Sequence, residues 1–454
     1  MKKFGDILPV AGVPAIGRSR LVGGITSFFD KLLTRINNEQ SRWLLGRKVV
    51  DCYKAMAILV LNALLFGAGL ELAAKSSFEI RSLISRPAED QLIGEGSPRE
   101  KVSYYSSQDW AKRYWHEFRL SRTQRYYPYV GWRRAPFNGE TIKIDQNGLR
   151  STPGADCSAK SFKVFTFGES SMWGTGSPDW GTIPANLQKY LEKTRPGPVC
   201  VMNFAESAYV STQDVIMLLL QLRSGNVPDL VVFFSIAGDI GAAYESGRVG
   251  AHANLDLIAA RVEGRSKPPT FVDWLRSTNA YLLIDELVGK LTLADPEQKQ
   301  PGHAEFMDQV APTRSEPLNY QSMGIDVSKL SDSIVQEYLG NYEIVSALAQ
   351  KYGFKYFFFA PPIISLGNKP LTREEKKMKS GLESNAALDK LVTSVYQRIE
   401  RESSTHQNLY LMIDIFDRYD GLLWIDGGHV TPVGNQLIAK RMLDIIQARW
   451  SDSK

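Results

Sequence analysis

Two short stretches near opposite ends of the C-terminal part of the chain hold residue types that act together in acyl chemistry. The first is Gly168-Glu169-Ser170-Ser171-Met172-Trp173-Gly174-Thr175-Gly176, directly after the apolar run Phe162 to Phe167. A serine placed where a buried strand breaks into a loop can present its hydroxyl, and its own amide, to the space above a sheet edge. The second stretch is Asp426-Gly427-Gly428-His429, followed by Val430-Thr431-Pro432 and a helical pattern. Asp and His three apart, with two glycines between, can bring a carboxylate to an imidazole. Such a carboxylate fixes the tautomer and stabilises the imidazolium while the other ring nitrogen takes a proton from a serine. Ser/Gly turns after strands are common, and a single loop histidine is more often satisfied by a local hydrogen bond. The pairing of the two stretches is what points to nucleophilic catalysis.

The elements that would position these residues are legible from the apolar pattern. Short apolar runs bounded by turns occur at 162–167 (FKVFTF), 199–204 (VCVMNF), 229–235 (DLVVFFS), 355–362 (KYFFFAPP) and 409–413 (LYLMI). Between and after them lie helical patterns: IPANLQKYLEK, STQDVIMLLLQL, SDSIVQEYLGNYEIVSALAQKY, GLESNAALDKLVTSVYQRIE and QLIAKRMLDIIQ. Continuous apolar strands alternating with helices predict an α/β domain with a parallel sheet covered on both faces. Sites in such sheets form beyond the carboxyl ends of the strands, where Ser170 falls. Trp173, Trp180, Tyr209 and Tyr244 lie in loops near those ends, where they would either stack on sugars or pack. Residues 127–150 alternate, with Asn138-Gly139 and Asn147-Gly148 as turns, and predict a small β-rich lead-in. The polar stretch 76–125 reads as a stalk, and 295–318 as a surface insertion.

In these stretches the sequence resembles the SGNH/GDSL hydrolases, a family of flavodoxin-like α/β esterases, lipases and carbohydrate acyl-modifying enzymes. The resemblance covers about residues 160–450, and the lead-in YVGWRRAPFNGETIKIDQNGLR is similar to bacterial membrane-anchored members. Gly168-Glu169-Ser170 matches the first block, with Glu in place of the usual Asp. Asp426 and His429 match the last block, D-x-x-H. The second block, N-x-G-x-x-G-Y-x-S-x-Q, appears as Asn203-Phe204-Ala205-Glu206-Ser207-Ala208-Tyr209-Val210-Ser211-Thr212-Gln213, with both glycines changed to alanine. The third, G-x-N-D, appears as Ile236-Ala237-Gly238-Asp239, without its Gly and Asn.

The resemblance implies a three-layer sandwich of strand order 2-1-3-4-5, a Ser170 nucleophile, a His429 general base and an Asp426 orienting acid. It also implies an oxyanion hole at Ser170, Ala208 and Gly238, no metal and no cofactor. Ala208 keeps a backbone donor if its φ is not positive, whereas Gly238 lacks the Asn side chain and is expected to leave a gap. Losing one such donor typically costs about 10²–10³ in turnover. Glu169 and Glu206 flank the region, and a carboxylate pointing into it would oppose an oxyanion. Three functions remain open. One is a serine esterase or deacylase acting on an acylated envelope glycan or a lipid ester. Another is a carbohydrate O-acyltransferase using the same serine. The third is a catalytically impaired scaffold in an envelope assembly complex, with polysaccharide machinery as partner.

Composition narrows the remaining possibilities. With 43% hydrophobic and 23% charged residues, the 454-residue chain is neither globally disordered nor a polytopic membrane protein. A net charge of +5, without basic clusters interleaved with aromatics, argues against nucleic acid. Five scattered histidines, with no HExxH, do not suggest a metal site. Ala55 to Leu70 is an uncharged apolar run, extended to Ala74 if Glu71 is tolerated, and bracketed by Lys54 and Lys75. It predicts a transmembrane helix at 55–74, since about twenty residues cover a ~30 Å hydrocarbon core. Residues 1–54 hold ten Lys/Arg, against Arg81 and Arg86 in the fifteen residues after Lys75. The positive-inside bias therefore puts a basic N-terminal segment in the cytoplasm and the domain at 161–450 outside, periplasmic in a single-pass bacterial inner-membrane protein. Residues 75–160 would be stalk and lead-in.

Of three cysteines, Cys157 precedes the first strand and Cys200 opens the second. In the 2-1-3-4-5 order these strands are neighbours, so the two cysteines lie near the amino-terminal edge, away from Ser170. An oxidising compartment would permit a bridge; two buried thiols are the alternative.

Overall fold

The computed structural model describes residues 39–84, 97–253, 255–262 and 319–451, with a few isolated positions between 278 and 284. The expected surface insertion at 295–318 lies outside the described residues. The chain divides into two compact units, one of residues 1–86 with 269–294 and one of the rest.

The first unit holds α1 (Glu39–Ile84). Within it, Gly46–Ser77 is long and apolar enough to cross a membrane. Its apolar side chains stay exposed along the span, Leu59 at 71% and Phe66 at 74% among them. At 1.5 Å per residue α1 is roughly 70 Å long, more than twice a hydrocarbon core. The helix thus runs well past both ends of the predicted 55–74.

The second unit begins with helices α2 (Ser103–Ser106) and α3 (Ala111–Leu120). Two small hairpins follow, β1 (Gln124–Tyr127) with β2 (Gly131–Arg134), and β3 (Phe137–Asn138) with β4 (Lys143–Ile144). The main sheet is β5 (Phe162–Gly168), β6 (Val199–Asn203), β7 (Leu230–Phe234), β8 (Lys355–Ala360) and β9 (Leu409–Leu411). All four strand pairs are parallel, in the order β6-β5-β7-β8-β9. This is the 2-1-3-4-5 order the resemblance implied; four strands fall within the apolar runs named above, and β5 runs one residue past its own, to Gly168. The helices around the sheet are α4 (Ser170–Trp173), α5 (Ile183–Thr194), α6 (Ser211–Arg223), α7 (Ala237–Ser246), α8 (Leu255–Val262), α9 (Val327–Tyr352), α10 (Arg373–Ser384), α11 (Ala386–Ser403) and α12 (Pro432–Ser451).

Side chains alternate across a strand, and the core divides accordingly. Val164, Leu230, Val232, Phe234, Phe357 and Phe359 belong to one buried cluster. Phe165, Phe167, Val231, Phe233 and Phe358 belong to the other. On that second face Phe167, Phe233 and Phe358 stack in a row across three strands, with centroids 5.1 and 4.3 Å apart. The pattern GLESNAALDKLV predicts one helix, but Asn385 breaks it into α10 and α11. Its side chain accepts from Leu388 N at 3.2 Å and caps the second helix, which a continuous helix would forbid.

From residue 97 on, the predicted stalk is a packed layer of the domain. Tyr105, Tyr114 and Trp115 are buried in the same cluster as Trp173 and Ile425. These aromatics are spread among polar residues in the chain and form an apolar face only once the segment is packed. Cys157 and Cys200 form a disulfide with Cα atoms 4.8 Å apart, on the amino-terminal side of β5 and β6 as placed from the strand order. Closing a loop of this size contributes roughly 4 kcal/mol in the chain-entropy account.

Candidate active site

The serine loop is fixed by backbone geometry. Gly168 ends β5 with φ 146°, and a Cβ there would lie 2.2 Å from the Phe234 carbonyl oxygen of β7. Only glycine fits, because the chain must turn sharply against its neighbour strand. Ser170 then opens α4, and Gly174 and Thr175 donate back to its carbonyl, both at 3.0 Å. Asn203, at the end of β6, bonds the carbonyls of Met172 and Trp173 through its side-chain amide (3.4 and 3.3 Å), tying the loop down from below.

The Asp426-Gly-Gly-His429 spacing produces a turn organised by the aspartate. One carboxylate oxygen accepts from the amides of Gly428 (2.8 Å) and His429 (2.7 Å). The carboxylate also meets His429 Nδ1 at 2.8 Å. On the other side of the ring, His429 Nε2 lies 2.6 Å from Ser170 Oγ. Ser171 Oγ donates to the Gly428 carbonyl at 3.2 Å and joins the two loops a second time. Burial pushes the Asp426 carboxyl up, but the Arg99 guanidinium, His429 and the Gly428 amide outweigh it and hold the group well below the usual carboxylate range. Arg99 donates its Nε to Asp426 Oδ2. No residue spacing pointed to Arg99, which lies far upstream in what read as a stalk.

The second-block residues are mostly structural. Tyr209 donates its hydroxyl to the Trp132 carbonyl, and the Gln213 side chain donates to the Val130 carbonyl at 2.6 Å, so both anchor the β1–β2 hairpin. Ala208 sits at φ 63°, the left-handed region that a glycine occupies freely. The condition set on its donor, that φ not be positive, is therefore not met. Its amide nevertheless donates to no group among the described residues, and the same holds for Ser170.

The gap expected at Gly238 is not there. A Cβ built on Gly238 would lie 2.1 Å from the Tyr209 carbonyl oxygen and 3.5 Å from the Glu169 carboxylate. The position is filled by backbone from the neighbouring loop, so no side chain fits. Asp239, next in the block, accepts from the Ser211 amide and hydroxyl (3.1 and 2.8 Å) and caps α6. Ile236 takes φ 110°, a strained value for a β-branched residue.

Neither flanking glutamate acts as an open charge. Glu206 is fully buried and paired with Arg134 (3.3 Å), and it accepts from the Arg134 and Ser207 amides. Glu169 is buried, and neither of its carboxylate oxygens has a hydrogen bond among the described residues, as is the case for Asp214. Burial, then the nearby Asp239 and Asp214, push Glu169 well above the usual carboxylate range. Of the four aromatics expected in loops, Trp173 lies in α4 and Tyr244 in α7, and Trp173 and Tyr209 are fully buried. The Trp173 ring lies between the Arg134 and Arg150 guanidinium groups, 3.6 and 4.2 Å from its centroid. Trp180 is 45% exposed, and Tyr244 accepts from the Asn385 side chain at 2.9 Å.

No family model matches the chain, and no curated relative matches it. Among solved structures it is similar to an acetyl xylan esterase, AlAXEase, at 13% identity and TM-score 0.31, covering 62% of this chain and 98% of that one. A member of the lipolytic protein G-D-S-L family from Veillonella parvula matches at 11% identity and TM-score 0.32, covering 63% and 98%. TesA matches at 11% identity and TM-score 0.30, covering 63% and 98%. At these scores the likenesses carry no argument about activity.

Proposed function

We propose that this chain is a membrane-anchored serine hydrolase of the SGNH/GDSL type, acting on an ester through Ser170, His429 and Asp426. The observation that carries the reading is the continuous relay of 2.6 Å from Ser170 Oγ to His429 Nε2 and 2.8 Å from His429 Nδ1 to Asp426. In this reaction His429 takes the hydroxyl proton as Ser170 attacks the ester carbonyl, then gives it to the departing alcohol. Water, activated by the same ring, releases the acid from the acyl-enzyme. Asp426 keeps Nδ1 protonated and stabilises the imidazolium.

The unpartnered amides of Ser170 and Ala208 are the donors assigned to the oxyanion. With no third donor from position 238, turnover is expected to be slow, by about 10²–10³ relative to a complete hole. The span in α1 and the basic residues before it support a single-pass anchor with the hydrolase domain on the periplasmic side. An acylated envelope glycan or lipid is the substrate class such an anchor would serve. Covalent labelling of the purified full chain with a fluorophosphonate, compared with Ser170→Ala, tests the reading. Labelling of the parent chain alone is expected; equal labelling, or none, would sink it.

A further inference from the structure

The turn at 97–102 places a cation against the acid of the relay, and the surroundings show that this placement is built. Glu100 pairs with Arg119 of α3 at 2.7 Å. The Ser103 amide donates to Glu374 of α10 at 3.1 Å. Tyr105 donates its hydroxyl to the Gly176 carbonyl at 2.7 Å, and the Gly176 amide donates to the Tyr114 hydroxyl at 2.7 Å. Gly176 belongs to the loop that begins at Ser170. One segment therefore holds the serine loop through two tyrosines and the Asp426 loop through Arg99.

We propose that Arg99 is a positioning residue of the Ser170–His429–Asp426 relay, locking the Asp426 carboxylate against the imidazole and offsetting its charge. The proposal rests on the hydrolase reading for its role in turnover. Asp426 Oδ2 accepts from both Arg99 Nε and His429 Nδ1, so the guanidinium and the ring share one oxygen. The ring also reaches Asp426 Oδ1 at 3.1 Å, so the guanidinium on Oδ2 is what fixes which way the carboxylate faces. A cation beside Asp426 also offsets part of the carboxylate charge that faces the His429 ring, and Arg99→Gln removes that offset. Among the described residues, the acidic groups near Arg99 in the chain and at the start of α10 have partners of their own. Glu100 is paired with Arg119, Glu374 accepts from the Ser103 amide, Glu375 is paired with Lys369, and burial keeps the Tyr105 phenol neutral.

The test uses the full chain in detergent and follows fluorophosphonate labelling against pH for the parent, Arg99→Gln and Arg99→Lys. In parallel, the His429 imidazole is titrated by NMR of histidine-labelled protein, its signal identified by its loss in His429→Gln. Arg99→Gln is expected to slow labelling at neutral pH about tenfold, a fraction of the ~10²–10⁴ that a general base supplies. Its acid limb should move to higher pH, and so should the His429 titration. Arg99→Lys, which keeps the charge, should hold the limb near the parent's position and recover part of the rate. An unmoved limb and an unmoved His429 titration in Arg99→Gln would overturn the proposal, even if melting falls. If the parent chain does not label at all, the hydrolase reading fails. The NMR titration still decides Arg99: an upward move supports it, no move rejects it. Should Arg99→Gln not fold, Arg99→Met, which keeps the apolar stem, takes its place with the same expected shifts.

Discussion

Asp426 and Glu169 are both carboxylates beside the Ser170 loop, yet their surroundings send them to opposite states. Asp426 accepts from two amides, an imidazole and a guanidinium, and is held ionised. Glu169, one residue before the serine, has no close hydrogen bond to its oxygens among the described residues and lies near Asp214 and Asp239 in the interior, with only the amides of Gly238 and of Glu169 itself acting weakly to lower its pKa. Burial without partners favours the neutral acid. A charged Glu169 under the serine loop would repel an oxyanion; a neutral one does not. The same functional group is thus held charged in one place and neutral in the other, and the proposed reaction needs both.

The largest expected effect comes from breaking the charged side of this contrast. Asp426→Asn keeps the size of the side chain, but its amide can hydrogen-bond the wrong imidazole tautomer. Turnover on a small activated ester, or the labelling rate, should fall about ten-thousand-fold. A drop of tenfold or less would mean that His429 is held by other groups and that Asp426 is only a turn-former.

The next effect concerns the residue that covers the neutral side. Gly238 lies against Glu169 and the Tyr209 carbonyl, and has no room for a Cβ. Gly238→Asn is therefore expected to destabilise the domain by about 2–4 kcal/mol, through overpacking against backbone. It should not raise esterase activity, the opposite of what a gap at this position would give. Thermal melting and ester turnover on the same preparation check both halves.

A smaller effect reads the neutral acids themselves. Glu169, Asp214 and Asp239 all have raised pKa values, first because of burial; Asp239 is pushed up to about 6. Their folded states prefer the proton, so this part of the stability is complete below the ordinary carboxylate range. It is lost as pH rises through the folded values, for Asp239 between about 4 and 6. Glu169→Gln should remove its share of that loss, raising Tm at pH 7.5 by about 2–4 °C while leaving it unchanged near pH 4. A lower Tm at both pH values would mean that the Glu169 carboxylate has a partner that an amide cannot replace.

How much of this was legible in the sequence follows the same division. The five strands and their parallel arrangement were readable from apolar runs alternating with helical patterns, and the Asp426–His429 pair from its spacing. The strand order and the meeting with Ser170, 259 residues from His429, followed only from the family resemblance. The stalk was misread, since Tyr105, Tyr114 and Trp115 are scattered among polar residues and acquire a common face only when packed. Arg99 was missed for a related reason. Its partner Asp426 is 327 residues away in the chain, and nothing local marks the pair. The gap at Gly238 was inferred from what a side chain would have supplied; what occupies the place is another loop's backbone, which no residue type announces.

The smallest expected effect comes from setting Ala208 beside Gly238. The chain places glycine at 238, where φ is not positive but space is absent, and alanine at 208, where φ is 63°. The left-handed conformation costs an L-residue roughly 1–2 kcal/mol, which glycine escapes. Glycine in turn loses more freedom on folding, by about 0.4–1 kcal/mol. Ala208→Gly should therefore stabilise the domain slightly, by about 0.5–1 kcal/mol once both effects are combined. Its amide, the donor assigned to the oxyanion, is retained, so the labelling rate should stay within about threefold of the parent, since three-fold is near 0.6 kcal/mol of barrier. A stabilised variant that labels much more slowly would show that the alanine methyl, by stiffening the loop, holds the donor in place. The strain at 208 would then belong to the site's working geometry rather than to the cost of a lost glycine. A destabilised variant would mean that the methyl's packing against the apolar face around Phe204 and Tyr209 outweighs the backbone relief.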